Sequence, residues 1–238
     1  MTNSKNRTSL RKAALIAGLA ILAMAIAAPF AELYAFPKLL VSRSAAETAK
    51  NIIANEALFR AGIFGYTITF ICDLLAAWAL WVFLKPVNES LSLLTAWFRL
   101  VYTVIAFVAL LNLVAILRLL NTPDYKTVFE PDQLYAQIKL SLNAFRSGWY
   151  FGILFFGIHL GLLGYLVLKS TYIPNLLGVL LIVAGLGYLI NAIKPIAFPN
   201  IHLDFAKYTF FGELIFMLWL IIKGSRIKES NIESVVQV

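Results

Sequence analysis

Cysteine and histidine are nearly absent from this chain of 238 residues. The single cysteine, Cys72, excludes an intramolecular disulfide framework and a cysteine-rich metal site. Two histidines are too few for a zinc site built from three. The sequence also lacks a phosphate-binding loop, an HExxH pair and a GxSxG nucleophile elbow. No metal or cofactor is indicated, and the common hydrolase and nucleotide-binding signatures are missing.

Charge is scarce as well, because charged residues make up only 13% of the chain and apolar residues 61%. Mean hydropathy is +0.83. This balance excludes an ordinary soluble domain and a disordered chain. The net charge of +8 does not indicate a nucleic-acid partner, since the Lys and Arg residues mostly flank apolar runs. The sequence therefore predicts a polytopic membrane protein whose partner is the lipid bilayer.

Six segments are long and apolar enough to cross a bilayer as helices, which takes about 20 residues each. They cover approximately residues 13–36, 57–84, 91–117, 144–168, 173–193 and 206–222. Membrane strands are excluded, because the segments are too long and lack alternation of polar and apolar residues. We predict an all-α bundle of six transmembrane helices that forms a single domain over residues 1–238, with polar tails at 1–12 and 224–238.

Two of the longer loops have the composition of short amphipathic helices. Residues 44–56 combine good helix formers with polar spacing, which predicts a helix in the first loop. In the third loop, a helix is expected to begin at Pro131, followed by an apolar stripe at helical spacing. That stripe fits an interfacial helix, a rigid extension of the fourth span or a soluble cap on the bundle. Pro29 is expected to kink the first span or lie near its end.

The loop lengths and basic residues predict an orientation in the membrane. Six spans place both termini on the same side as the two tight turns, Lys85–Ser90 and Lys169–Tyr172. Basic residues are densest near the helix ends on that side, which favours it as the cytoplasmic one. We therefore expect a multi-pass protein of the bacterial cytoplasmic membrane with its N- and C-termini inside.

Four ionisable residues lie inside the apolar segments: Asp73, Arg99, His159 and Glu213. Each lies roughly 14–18 Å from the cytoplasmic end of its helix at a rise of 1.5 Å per residue, which predicts one polar layer. The second and third spans form a tight hairpin, so we expect Asp73 to pair with Arg99. Ionisable groups at this depth usually face the bundle interior and have a partner.

This polar layer allows several interpretations. The Asp73–Arg99 pair could fix helix register and do nothing else, and His159 could be a hydrogen-bonded interior histidine. With Glu213 beside it, His159 could instead relay protons or hold a divalent ion. The leading hypothesis is a small-solute or proton carrier, or a ligand-binding membrane protein. The alternatives are a membrane-embedded enzyme acting on a lipid or isoprenoid, and a structural or accessory subunit.

A second polar group is predicted towards the outer ends of the spans, and Trp149 near it has the position of an interfacial anchor. Its members are Glu32, Tyr34, Arg60, Asn112, Arg146 and Asn191. Charges at this depth can reach the headgroup region, so they need no function. The functional hypothesis is that Glu32 with Arg60 or Arg146 lines the mouth of a cavity. In the enzyme alternative, one of these arginines would hold a phosphate group.

Three stretches resemble a bacterial family of multi-pass membrane proteins catalogued as a domain of unknown function. They are ALFRAG at 57–62, LKPVNESLSLLTAWFRLV at 84–101 and FFGIHLGLLGYLVLKSTYIPNLLGVLLIVAGLGYLIN at 155–191. The resemblance covers the first through the fifth span. It implies a location in the cytoplasmic membrane, and it supplies no catalytic residues.

Overall fold

A computed structural model describes residues 8–41, 44–197 and 210–227 of the chain. The described residues form helices and turns, with no strand among them. The helices are α1 (Leu10–Pro29), α2 (Phe36–Leu39), α3 (Ala45–Ala54), α4 (Glu56–Leu84), α5 (Glu89–Asn121), α6 (Pro123–Val128), α7 (Pro131–Lys169), α8 (Asn175–Ala197) and α9 (Phe211–Ile222). This confirms the predicted all-α fold.

Five of the six predicted spans are confirmed as helices that are long and apolar enough to cross a membrane. They are Leu10–Leu39, Glu56–Leu84, Glu89–Asn121, Pro131–Lys169 and Asn175–Lys194. The sixth predicted span, 206–222, is described only from its fifth residue onward. Its α9 portion is an apolar helix of 12 residues, shorter than the roughly 20 that a crossing requires. The sixth crossing therefore stays a prediction, and residues 206–209 lie outside the described residues.

The first-loop helix is present and the third-loop helix takes one of the predicted alternatives. Helix α3 begins after its N-cap residue Ser44, whose Oγ accepts a hydrogen bond from the Glu47 N–H at 3.1 Å. In the third loop, the helix that begins at Pro131 continues without a break to Lys169. It is thus a rigid extension of the fourth span rather than a separate short helix. Helix α6 adds one short turn before it.

The first span changes its helical geometry near its end. Residues Phe30–Ala35 form a π-helical turn, in which the Phe36 N–H donates to the Ala31 carbonyl five residues back. Pro37 follows, and a proline ring in a regular α-helix clashes with the carbonyl four residues before it. A wider turn relieves that clash. One extra residue in a turn rotates the following side chains by about 100°, which changes the face that they share.

The internal contacts of the chain divide it into two compact units. The first unit comprises Met1–Leu22, Cys72–Tyr102 and Ile153–Val238, and the second comprises Ala23–Ile71 and Thr103–Gly152. Large side chains such as Phe83, Leu160 and Phe216 are buried in the first unit. Phe59 and Ile116 are buried in the second. Each unit therefore has a packed apolar core of its own.

In the first unit, the two tight turns are held by side-chain hydrogen bonds. Asn88 caps α5, since its Oδ1 accepts from the Leu91 N–H at 2.8 Å. Burial raises the pKa of Tyr172, whose hydroxyl donates to the Phe83 carbonyl at 2.7 Å. This bond ties the turn before α8 to the end of α4. Both turns thus lie at the same end of the first unit, as the prediction of their common side requires.

Candidate functional site

Arg99 is the centre of a buried charge cluster in the first unit. Helix α5 supplies Arg99, α4 supplies Asp73, α7 supplies His159 and α9 supplies Glu213. All four are buried, and no part of the Arg99 side chain is exposed. Arg99 contacts each of the other three residues that the sequence predicts to lie in one polar layer. Their role as a ligand or proton site stays a prediction.

Asp73 is the tightest partner of Arg99. The Arg99 Nε–H donates to Asp73 Oδ1 at 2.8 Å, and Arg99 Nη2 lies 2.7 Å from the same oxygen. Distances of 2.7–2.9 Å are typical of charge-assisted hydrogen bonds between a guanidinium and a carboxylate. The α4–α5 hairpin thus joins its two arms through an ion pair that is fully removed from solvent.

The hydrogen bonds of His159 determine its tautomer. Its Nδ1 lies 2.8 Å from the Thr95 backbone carbonyl, which can only accept, so Nδ1 carries the hydrogen. Its Nε2 lies 3.2 Å from Arg99 Nη1, which can only donate, so Nε2 accepts with its lone pair. The imidazole is therefore neutral in this arrangement, and both ring nitrogens are occupied.

Glu213 is held more loosely than Asp73. Its Oε1 lies 3.4 Å from both Nη1 and Nη2 of Arg99, at the long end of hydrogen-bond distances. Its side chain is 12% exposed, whereas that of Asp73 is 3% exposed. Glu213 is thus the most accessible and most weakly bound member of the charge cluster.

Aromatic side chains that were not predicted from the sequence pack around the charge cluster. The Arg99 guanidinium lies 5.2 Å from the centre of the Phe156 ring, within the range of a cation–π contact. Phe156 also packs on Tyr102 and Tyr188, with ring centres 4.9 and 5.1 Å away. Helical spacing would have found two of the three, because Phe156 precedes His159 by three residues and Tyr102 follows Arg99 by three.

The charges of the cluster do not balance if both carboxyl groups are ionised. Arg99 supplies one positive charge, His159 is neutral, and Asp73 and Glu213 supply up to two negative charges. A buried net charge is costly unless it is paired or neutralised. One proton bound to a carboxyl group would balance the cluster within the described residues. Among those residues, no group of three His, Cys, Asp or Glu side chains is arranged to hold a metal ion.

The residues of the predicted outer polar group are divided between the two units. Asn191 belongs to the first unit, whereas Glu32, Arg60, Asn112 and Arg146 belong to the second. Arg60 forms an ion pair with Glu56 one helical turn away at 2.6 Å, and 52% of its side chain is exposed. Asn112 donates to the Ala109 carbonyl of its own helix. Arg60 and Asn112 thus each have a partner on their own helix, and no cavity is needed to account for them.

Glu32 and Arg146 line one cavity of about 490 Å³, which we call the second-unit cavity. Its other lining residues are Phe36, Pro37, Leu40, Tyr66, Leu113, Leu142, Phe145, Trp149 and Tyr150. The Tyr66 hydroxyl donates to Glu32 Oε2. Trp149 contacts the Tyr66 and Phe145 rings rather than serving only as a membrane anchor. The structure thus places Glu32 and Arg146 at a common cavity and leaves Arg60 outside it.

Comparison with known proteins places the chain in a family without assigning an activity. A protein of Archaeoglobus fulgidus described as "Uncharacterized protein" is 37% identical over 167 residues, which cover 70% of this chain and 86% of that protein. No solved structure matches the chain. The family model described as "Domain of unknown function (DUF4386)" matches residues 16–224, which extend from α1 past α9. The resemblance to a family of unknown function is thereby confirmed, and the chain belongs to the DUF4386 family.

Proposed function

We propose that this protein is a small-solute or proton carrier whose charge cluster binds and releases a proton. The observation that carries the proposal is that two buried carboxyl groups share the single guanidinium of Arg99. Asp73, Arg99 and His159 lie on helices that are long and apolar enough to cross a membrane. Ionisable groups inside membrane spans commonly mark proton and ion pathways.

Glu213 is the member of the cluster that exchanges the proton. Asp73 receives two short contacts from Arg99, which stabilise its ionised form. The contacts from Arg99 to Glu213 are longer, and the Glu213 side chain is more exposed than that of Asp73. When Glu213 is protonated, Asp73 and Arg99 balance each other. When Glu213 is ionised, the cluster carries an extra negative charge that attracts a proton or a cationic group of a solute.

The contacts of His159 argue against the enzyme alternative. A general base needs a free nitrogen within hydrogen-bond reach of the substrate. Both nitrogens of His159 are occupied, one by the Thr95 carbonyl and one by Arg99. The accessory-subunit alternative requires only that the charge cluster be stable. Unlike the carrier hypothesis, it does not require the carboxyl groups to exchange protons.

Infrared difference spectroscopy across a pH series tests the proton site directly. We expect a protonated carboxyl band in the wild-type protein that disappears in Glu213→Gln. The matched control is Glu89→Gln, which removes an exposed carboxylate of the same unit that pairs with Lys85 at its helix surface. If the wild-type protein shows no titrating carboxyl band beyond that of Glu213→Gln, the proposal is wrong.

Proton flux in proteoliposomes under an imposed pH gradient is the second test. We expect flux in the wild-type protein and in Glu89→Gln. Glu213→Gln and Asp73→Asn should reduce it to the rate of protein-free liposomes, because each removes one of the two carboxylates that share Arg99. Wild-type flux that is unchanged in these variants and in His159→Ala would contradict the carrier.

A further inference from the structure

The second-unit cavity contains two opposite charges that do not pair with each other. Glu32 and Arg146 both line it, yet no ion pair joins them among the described residues. Glu32 accepts a hydrogen bond from Tyr66 through Oε2, and its Oε1 accepts none in the described ranges. Arg146 likewise makes no hydrogen bond or ion pair with another residue that the structure describes. Each charge therefore retains capacity for a ligand.

The rest of the wall is suited to an apolar or aromatic body. Its volume of about 490 Å³ lies within the range of small-molecule sites. Leu113, Leu142 and Phe145 are buried residues of the wall, and Trp149 and Tyr150 add aromatic surface. Mostly apolar walls with a few placed polar groups are typical of ligand pockets.

The π-helical turn brings the acidic side of this cavity into place. Glu32 lies within the turn, and Phe36 and Pro37 directly after it also line the cavity. Phe36 stacks on Tyr66 with ring centres 5.4 Å apart, and Tyr66 holds Glu32. π-Helical turns inside α-helices are frequent at functional sites. Here the turn sets the direction of the carboxylate that the cavity requires.

We propose that the second-unit cavity binds a zwitterion with an apolar body. Glu32 takes the ammonium group, Arg146 takes the carboxylate or phosphate group, and the aromatic and leucine side chains take the body. Both residues are exposed as well as lining the cavity, so a ligand with only one charge would use only one of them. This chemistry is shared by free aromatic amino acids and by the headgroup of phosphatidylethanolamine. The inference concerns binding in the second unit and does not depend on the proton site of the first.

Three soluble probes separate the two charges without any mutation. They are L-phenylalanine with both charges, phenethylamine with the ammonium alone and 3-phenylpropionate with the carboxylate alone. We expect calorimetric titration of the purified wild-type protein to show L-phenylalanine binding at least about tenfold more tightly than either analogue, since hydrogen bonds to charged groups are worth this much or more. If 3-phenylpropionate or phenethylamine binds as tightly as L-phenylalanine, the zwitterion proposal is overturned.

Variants then assign the charges to residues. Glu32→Gln keeps an acceptor for the Tyr66 hydroxyl and removes the negative charge, and Arg146→Gln removes the positive one. Each should weaken L-phenylalanine binding about tenfold or more. Arg60→Gln is the matched control. Arg60 belongs to the same unit but does not line the cavity, and it pairs with Glu56. Equal loss in all three variants would overturn the assignment.

The lipid source is tested in nanodiscs. Native mass spectrometry of protein released from mixed phosphatidylethanolamine and phosphatidylglycerol nanodiscs would show which lipid is retained. Retention of phosphatidylethanolamine that is lost in Glu32→Gln and Arg146→Gln, with no binding of L-phenylalanine, identifies a headgroup site. Binding of L-phenylalanine with those losses identifies a free solute. If neither the amino acid nor phosphatidylethanolamine is bound selectively, no zwitterion occupies the cavity and the proposal fails.

Discussion

At the scale of single residues, the charge cluster predicts unequal costs for removing its members. Arg99→Gln leaves two carboxyl groups without a cation, and we expect it to lower the free energy of unfolding by about 3–5 kcal/mol. Asp73→Asn should cost less, because Arg99 keeps Glu213 as a partner at 3.4 Å. Denaturant unfolding of the purified variants in detergent measures both changes.

The Asp73→Asn/Arg99→Gln double variant completes that cycle. Replacing both partners of a buried pair is often nearly neutral, so the double variant should be more stable than Arg99→Gln alone. Strictly additive losses would show that the two side chains do not interact energetically. Equal losses in the two single variants would show that Glu213 does not compensate for Asp73.

His159 gives a second prediction at the residue scale. A glutamine can donate to the Thr95 carbonyl and accept from Arg99, as the observed tautomer of His159 does. We therefore expect His159→Gln to be more stable than His159→Leu by about 1–3 kcal/mol, the cost of leaving buried polar groups without partners. Melting curves in one detergent compare the two variants, and a leucine variant at least as stable as the glutamine variant would contradict the assigned tautomer.

At the scale of helices, the close approach of α7 and α8 depends on particular glycines. A Cβ at Gly164 would lie 2.6 Å from the Gly178 carbonyl oxygen and 2.7 Å from Ile182 Cγ1. We expect Gly164→Ala to force the helices apart and to cost about 1–3 kcal/mol of unfolding free energy. Gly161 on the same helix has open space at its Cβ position. Gly161→Ala should therefore be neutral or stabilise the protein by about 0.5–1 kcal/mol.

Thermal unfolding of these two alanine variants checks the contrast. The substitutions are identical in chemistry and lie three residues apart on one helix, so helix propensity cancels in the comparison. A loss in Gly164→Ala that exceeds any change in Gly161→Ala identifies interhelical contact as the cause. Equal changes would show that the close approach of α7 and α8 contributes little stability.

The π-helical turn is a feature of the first span that could not be predicted from the sequence. The apolar run predicted the first span, and Pro29 was expected to kink it or lie near its end. The α-helix ends at Pro29, and the change of geometry extends over the next six residues, before Pro37. Apolar length does not distinguish an α-helical from a π-helical turn. It therefore could not predict that Glu32 would reach Tyr66.

At the scale of the whole molecule, the buried polar residues were the most predictable part. All four residues of the predicted polar layer are buried: Asp73, Arg99, His159 and Glu213. Depth along an apolar helix and the cost of exposing charge to lipid suffice for that prediction. The second-unit cavity was less predictable, because its aromatic wall follows from packing between distant segments. Depth alone also gave a wrong cavity residue in Arg60, because Arg60 forms an ion pair with Glu56 on its own helix.

The number of crossings determines the sidedness of the whole molecule, and labelling can count them. Six crossings place both termini inside, whereas five place them on opposite sides. Cys72→Ser leaves a cysteine-free background, into which single cysteines are introduced at Asn88, Asp124 and Ser230. A membrane-impermeant maleimide applied to intact cells should label Asp124→Cys alone. Labelling of Ser230→Cys together with Asp124→Cys would indicate five crossings, and labelling of Asn88→Cys would reverse the predicted orientation. Permeabilised cells, in which all three positions should react, provide the control for accessibility.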